Sequence, residues 1–134
     1  MKDISYDILD LMEEYGADAA GINRILESQT APEVLMALSP IRENLVEWIA
    51  IGENEKVLQI GSGYGAVTGA LARKAGDVLV IDPRVENLEV CKRRHKNLTN
   101  IRCQEGEDKD LIGQQFDWVF LIGPETNEAV FGIS

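Results

Sequence analysis

The chain has 134 residues, of which 45% are hydrophobic and 27% charged, with a net charge of −10 at neutral pH. This length fits one compact domain, and the composition is that of an ordinary soluble globular protein. The negative charge disfavours generic nucleic-acid binding, because it repels phosphates. No apolar stretch reaches the roughly 18 residues of a membrane span. The acidic first twenty residues lack a basic segment, so we expect no signal peptide.

The first part of the chain, residues 1–52, is predicted to be an N-terminal helical segment. Apolar residues recur at helical spacing in residues 3–14 and again in 41–51. A second short helix is predicted over residues 19–28, and Pro32 is placed to begin a third, in the first turn where proline is tolerated. The segment has an apolar face that must pack against the rest of the chain.

Residues 53–134 change from helical spacing to an alternation of strands and helices. Short apolar runs alternate with helical patterns, which predicts right-handed crossovers and a parallel sheet with helices on both faces. Continuous apolar runs are typical of strands that are buried on both faces. The predicted strands cover residues 56–61, 77–82, 100–106 and 116–124, and the predicted helices cover 66–75 and 84–97.

The first of these strands ends in a run of glycines, which we name the glycine turn (residues 61–65). Gly61, Gly63 and Gly65 read as G-x-G-x-G, and with Ala66 the same stretch reads as G-x-G-x-x-A. Glycines let the backbone approach a ligand closely, and the helix that follows presents free N–H groups. The first spacing suits S-adenosylmethionine and the second a dinucleotide, so the turn alone leaves both cofactors open.

Asp82 ends the second predicted strand, 17 residues after Gly65. If this strand lies beside the first, the carboxylate points across the mouth of the glycine turn. A carboxylate there can accept hydrogen bonds from both hydroxyls of a ribose. Either cofactor carries an adenosine, so Asp82 fits both; the alternative is an exposed turn aspartate before Pro83.

Four stretches, in order, resemble the motifs of class I S-adenosylmethionine-dependent methyltransferases. They are "VLQIGSGYG", "VLVIDP", "QEGED" and "FDWVFLIGP", and they span residues 55–125. The resemblance implies an α/β Rossmann-like parallel sheet of about four strands in the order 3-2-1-4, with S-adenosylmethionine as the cofactor. On this interpretation residues 53–134 are a C-terminally short methyltransferase-like core, and the whole chain forms one compact domain.

The resemblance also implies roles for particular residues. The three glycines would cradle the methionine part, Asp82 would hold the ribose, and Glu107 or Asp108 would meet the adenine amino group. Gln59 stands where the family usually has an acid that helps to hold the cofactor's ammonium end. The predicted cofactor-binding residues are Gln59, Gly61, Ser62, Gly63, Tyr64, Gly65, Asp82, Pro83, Glu107 and Asp108. No catalytic residue is predicted, because methyl transfer from a sulfonium mainly requires alignment. No metal site is predicted either.

The family core has seven strands, whereas this chain supplies four and a short tail. In the order 3-2-1-4 the strand over residues 116–122 lies at the sheet edge, and it is apolar and uncharged. Such an edge invites pairing, so we expect it to be covered. Either a short strand within residues 128–133 or the same strand of a second copy, in a homodimer, would do this. The loop of Gly123, Pro124 and Glu125 is where the family often faces the reacting group.

Two other functions stay open at this point. A non-catalytic methyltransferase-like binding or interaction subunit is favoured by Gln59 and by the short sheet. An NAD-dependent oxidoreductase is permitted by G-x-G-x-x-A and Asp82, but the helical lead and the third glycine count against it. The methyl acceptor cannot be read from the sequence. The basic run of residues 91–96 is interpreted as a solvated helix face with His95 at the surface, and the two cysteines as a reduced pair in the cytoplasm.

Overall fold

A computed structural model of the chain describes residues 4–28, 31–122 and 129–132. The described strands form one sheet in the order β3-β2-β1-β4-β5. Strands β1 to β4 are parallel, and β5 runs antiparallel to β4. The strands are β1 Lys56–Ile60, β2 Asp77–Asp82, β3 Ile101–Glu105, β4 Trp118–Ile122 and β5 Ala129–Gly132. The predicted Rossmann-like fold and its strand order 3-2-1-4 are confirmed.

Six α-helices accompany the sheet in the described part of the chain. They are α1 Ser5–Tyr15, α2 Ala19–Ser28, α3 Pro32–Leu38, α4 Asn44–Glu47, α5 Thr68–Lys74 and α6 Val85–Arg94. The helix predicted over residues 41–51 is shorter than expected, because a 3-10 turn (Pro40–Glu43) precedes α4. The Lys74 ammonium donates to the carbonyls of Val46, Glu47 and Ile49. This cap comes from α5, so local helical spacing could not predict where α4 ends.

One face of the sheet carries the larger core. Side chains of α4, α5 and α6 pack there against alternate residues of the strands, including the fully buried Val57, Val80 and Phe120. On the other face Leu58, Leu79 and Ile81 are buried with Leu111 and Phe116. Among the described residues, the helical cover on this second face is a single 3-10 turn (Asp108–Leu111), and Leu121 remains 47% exposed.

The N-terminal helices build a core of their own against the glycine turn. Ile8, Ile25 and Leu38 are fully buried there, together with Tyr64 of the turn and Val90 of α6. The helical segment therefore packs its apolar face on the turn and on α6. A buried hydrogen bond from the Ser5 hydroxyl to the Asn87 side chain joins α1 to α6. The division at residue 52 stays a prediction.

The edge of β4 is covered by the chain itself. Strand β5 pairs with it from Val119 opposite Gly132 to Ile122 opposite Ala129, as the short-strand alternative predicted. A homodimer stays a prediction. The predicted loop of Gly123, Pro124 and Glu125 lies outside the described residues. Within the described ranges, no helix has the length and apolarity to cross a membrane.

Candidate functional site

The glycine turn follows β1 at the edge of the sheet where the parallel strands end. Strand β1 lies between β2 and β4, so the connections leave it in opposite directions. Such a switch point opens a crevice at the carboxyl ends of the strands, where open α/β sheets bind their ligands. The fold therefore places the glycine turn at the position where a ligand site is expected.

The backbone of the turn is left-handed at several residues. The φ angles of Gly61, Gly63 and Gly65 are 90°, 52° and 77°, and that of Tyr64 is 56°. A Cβ atom at Gly61 would lie 2.2 Å from the Ile122 carbonyl oxygen, and one at Gly63 2.6 Å from the Ile122 side chain. Glycine is thus required both by the backbone conformation and by close packing on the end of β4. The buried Tyr64 side chain anchors the turn in the N-terminal core.

Asp82 lies directly beside the turn, as predicted from its place at the end of β2. Its carboxylate accepts hydrogen bonds at 2.9 Å from the Ser62 N–H and the Ser62 hydroxyl, both on Oδ2. Its Oδ1 accepts a third bond, also at 2.9 Å, from the Arg84 N–H. The residue is only 5% exposed. One buried carboxylate thus joins the turn to the start of α6.

Gln59 holds the turn from beneath. Its Nε2 donates to the carbonyls of Gly61 (2.9 Å) and Ser62 (3.1 Å), and its Oε1 accepts from the Thr68 hydroxyl at 2.9 Å. The side chain is fully buried. Both ends of the amide are therefore engaged within the protein, and a direct role of Gln59 toward a cofactor stays a prediction.

The third predicted stretch reaches the same edge from β3. Glu105 pairs with Asp82 across the sheet, and the next residue donates its N–H to the Asp82 carbonyl at 3.1 Å. Glu107 is exposed and caps the 3-10 turn that begins at Asp108. Pro83 is exposed directly after Asp82. The structure thus brings the glycine turn, Asp82 and the residues after β3 together, as the sequence predicted.

Two residues at the end of α6 contact the turn, and the sequence interpretation missed both. The Arg94 guanidinium donates to the Tyr64 carbonyl at 3.1 Å and to the carbonyls of Ala37 (3.2 Å) and Leu38 (2.7 Å). His95 Nε2 lies 2.7 Å from the Gly65 carbonyl oxygen. The His95 side chain is half-buried, so the prediction that it lies at the surface holds only in part. Burial lowers the pKa of His95 to about 4, and the positive charge of Arg94 adds to the effect.

The cysteines pack in the core behind the turn. Both are free thiols, and Cys91 is fully buried, with its Sγ 3.5 Å from the Thr68 hydroxyl. The neighbouring Cys103 thiol and burial raise the pKa of Cys91 well above its usual value. The thiolate is the nucleophilic form, so Cys91 is suited to packing rather than to nucleophilic chemistry.

A glycine turn and a strand-end acid on a sheet of this order define a Rossmann-like class of α/β protein. The family model described as "Methyltransferase domain" matches residues 57–129. This is more than half of the chain, so the chain belongs to the methyltransferase domain family. The match favours the S-adenosylmethionine interpretation of the glycine turn over the dinucleotide one.

Curated relatives extend this similarity to named proteins. The chain is 34% identical over 77 residues to a probable ribosomal RNA small subunit methyltransferase A of Thermococcus kodakarensis, covering 58% of this chain and 27% of that protein. A ribosomal RNA small subunit methyltransferase A of Borreliella afzelii is 30% identical over 67 residues, which cover 50% and 24% of the two chains. The chain therefore spans about a quarter of these relatives.

Solved structures share the fold. A dimethyladenosine transferase from Plasmodium falciparum superposes with a TM-score of 0.55 at 25% identity, over 64% of this chain and 32% of that one. Phosphoethanolamine N-methyltransferase 1 of Haemonchus contortus was solved with phosphoethanolamine and S-adenosylhomocysteine. It matches with a TM-score of 0.52 at 20% identity, over 90% and 26% of the two chains. The second likeness concerns the fold alone.

Proposed function

We propose that the chain binds S-adenosylmethionine on the glycine turn and serves as the cofactor-binding part of a methyltransferase. The observation that carries the proposal is the Asp82 carboxylate, held 2.9 Å from the Ser62 N–H at the mouth of the turn. Membership of the methyltransferase domain family supports it. The bound sulfonium supplies an activated methyl group, and the residues of the chain bind and orient it.

The glycine turn suits the methionine part of the cofactor. Three residues without side chains leave the backbone open to close approach. The bonds from Gln59 below and from Asp82 at the side fix the turn before a ligand arrives. A prearranged site binds more tightly, because less conformational freedom is lost on binding. We therefore assign Gln59 to the support of the turn.

Asp82 suits the ribose, with one condition. An ionised carboxylate offers about four acceptor positions, and three are filled by Ser62 and Arg84. One ribose hydroxyl can use the position that remains, but the second must replace an internal donor. The Ser62 hydroxyl is the donor best able to leave, because it rotates about a single bond. Glu107 or Asp108, on the same sheet edge, is proposed to meet the adenine amino group, and Pro83 to flank it.

We propose that the residues of this chain do not themselves bind RNA as the methyl acceptor. The relatives' names refer to ribosomal RNA, but this chain carries a net charge of −10, which repels phosphates. Its arginines are also largely engaged. Among the described residues, four arginines pair with carboxylates and Arg94 donates to backbone carbonyls; the pairs are Arg73–Glu43, Arg84–Glu86, Arg93–Glu89 and Arg102–Asp77.

Calorimetric titration tests the proposal. S-adenosylmethionine and S-adenosylhomocysteine are titrated into the wild-type chain, into Asp82→Asn and into Asp77→Asn. Asp77 begins the same strand at its opposite end and pairs with Arg102 at the surface, so it is a matched control. We expect micromolar binding to the wild type, at least tenfold weaker binding to Asp82→Asn, and no change for Asp77→Asn.

Failure of both ligands to bind a folded wild-type chain would favour a second candidate, a non-catalytic methyltransferase-like subunit. The observation in its favour is Gln59, which offers no charge and directs its amide inward.

A cytoplasmic location is proposed on the two free cysteines, which suit a reducing compartment. Homodimer formation, or a partner chain at the sheet edge, is also proposed. The mass of the chain in solution tests that proposal.

A further inference from the structure

We propose that His95, together with Arg94, is a positioning residue that holds the glycine turn in its cofactor-binding conformation. The inference rests on the proposed function of the turn. It assigns to two members of the basic run at residues 91–96 a task that the sequence pattern did not indicate. Neither residue is proposed to touch the reacting atoms.

Two consecutive side chains reach two consecutive carbonyls. Arg94 donates to the Tyr64 carbonyl at 3.1 Å, and His95 Nε2 lies 2.7 Å from that of Gly65. These carbonyls belong to the two adjacent left-handed residues of the turn, with φ angles of 56° and 77°. A non-glycine residue such as Tyr64 adopts this conformation only when its surroundings hold it there. The two donors are placed to supply that hold.

Gly69 gives an independent indication that the position of the His95 imidazole is important for the structure of the turn. It is the second residue of α5, and glycine is a poorer helix former than alanine. Its φ is not in the left-handed range, so its backbone does not require glycine. A Cβ at this position would lie 2.7 Å from His95 Cε1 and 3.0 Å from Nδ1. The missing side chain therefore leaves room for the imidazole.

The chemistry of the ring suits this task. A carbonyl oxygen only accepts hydrogen bonds, so Nε2 must carry a proton in this contact. Burial of the ring, with Arg94 and Arg73 nearby, keeps the imidazole neutral at ordinary pH because its pKa is lowered to about 4. The tautomer is thus fixed by the Gly65 carbonyl.

Arg94 connects the turn to the N-terminal helices as well. The same guanidinium donates to the carbonyls of Ala37 and Leu38, at the end of α3. The Tyr64 side chain packs in the core of those helices. The left-handed part of the turn is therefore held through the Arg94 contact and through the aromatic ring.

The experiment compares His95→Leu with His95→Gln and uses Lys92→Ala as a control. Lys92 belongs to the same helix and the same basic run but is exposed. One measurement is amide hydrogen exchange at Gly65 and Ala66, whose N–H groups bond within the turn. The other is calorimetric affinity for S-adenosylhomocysteine.

We expect His95→Leu to speed exchange at both amides and to weaken S-adenosylhomocysteine binding by roughly tenfold, because a turn that is competent in a tenth of the molecules binds with a tenth of the affinity. In His95→Gln the amide Nε2 can donate to the same carbonyl, so binding should return to within about threefold of wild type. Lys92→Ala should match the wild type in both measurements. A helix-packing role for His95 would not be rescued by glutamine in this way.

Exchange is measured on the cofactor-free chain, so it tests the positioning role even if the proposed function fails. If the wild type does not bind S-adenosylhomocysteine, the proposed function falls, and exchange alone decides this inference. Wild-type exchange rates in His95→Leu would overturn it. Should that variant not fold, Gly69→Ala displaces the ring while keeping the imidazole. Unchanged exchange at Gly65 in Gly69→Ala would overturn the inference equally.

Discussion

Removing the Asp82 carboxylate should destabilise the fold, and Asp82→Ala should lower the free energy of unfolding more than Asp82→Asn does. In Asp82→Ala the Ser62 N–H, the Ser62 hydroxyl and the Arg84 N–H all lose their acceptor. Ser62 is fully buried, so water cannot replace the acceptor for its N–H. A buried unsatisfied donor costs about 1–3 kcal/mol, whereas the hydroxyl can rotate and the Arg84 N–H is only partly buried. We expect a loss of about 3 kcal/mol in the free energy of unfolding.

Asp82→Asn should lower the free energy of unfolding by less than Asp82→Ala, because asparagine keeps one acceptor oxygen. The asparagine oxygen can still accept both bonds from Ser62. Its NH₂ group then faces the Arg84 N–H, so that one bond is lost and two donors meet. The expected loss is about 1–2 kcal/mol, between the wild type and Asp82→Ala.

Urea denaturation of the three proteins and of Asp77→Asn measures these differences. Asp77 pairs with Arg102 at the surface, and such pairs contribute about 0–1 kcal/mol. A loss in Asp82→Ala no greater than that in Asp77→Asn would refute the view that this carboxylate holds the glycine turn. Equal losses in Asp82→Ala and Asp82→Asn would refute the assignment of the Ser62 bonds as the main contribution.

Three further predictions follow from the same contacts. The pKa of His95 is about 4 in the fold and about 6.5 when unfolded, so the free energy of unfolding should fall by up to about 3 kcal/mol as the pH drops from 6.5 to 4. Denaturation of wild type and His95→Gln across this pH range checks the prediction. An identical acid dependence of the two proteins would contradict it. Gly61→Ala should cost about 3 kcal/mol or more, since its Cβ would meet the Ile122 carbonyl at a φ of 90°; a midpoint of thermal unfolding within two degrees of wild type would show that the turn adapts. Gln59→Glu replaces the donor to the Gly61 and Ser62 carbonyls by an acceptor and should cost about 2–4 kcal/mol in urea; a more stable variant would contradict the supporting role of Gln59.

The sequence by itself determined the sheet and the position of the glycine turn on it. Strand β2, Asp77–Asp82, extends one aspartate beyond each end of its apolar run, because the part of a strand that is buried on both faces must be apolar. The glycines of the turn and the acid at the strand end can be recognised locally, since each directly follows or ends an apolar run in the sequence. Parallel alternation then brings them to one edge.

Tertiary structure alone decided how the turn is held. Arg94 and His95 reach carbonyls 30 residues earlier in the chain, and the Gln59 amide turns inward to the turn and to Thr68. The N-terminal helices pack on Tyr64, a contact that their helical spacing does not indicate. A side chain that donates to a distant backbone carbonyl leaves no periodic pattern, because every residue has such a carbonyl. Only the folded arrangement selects which one is bound.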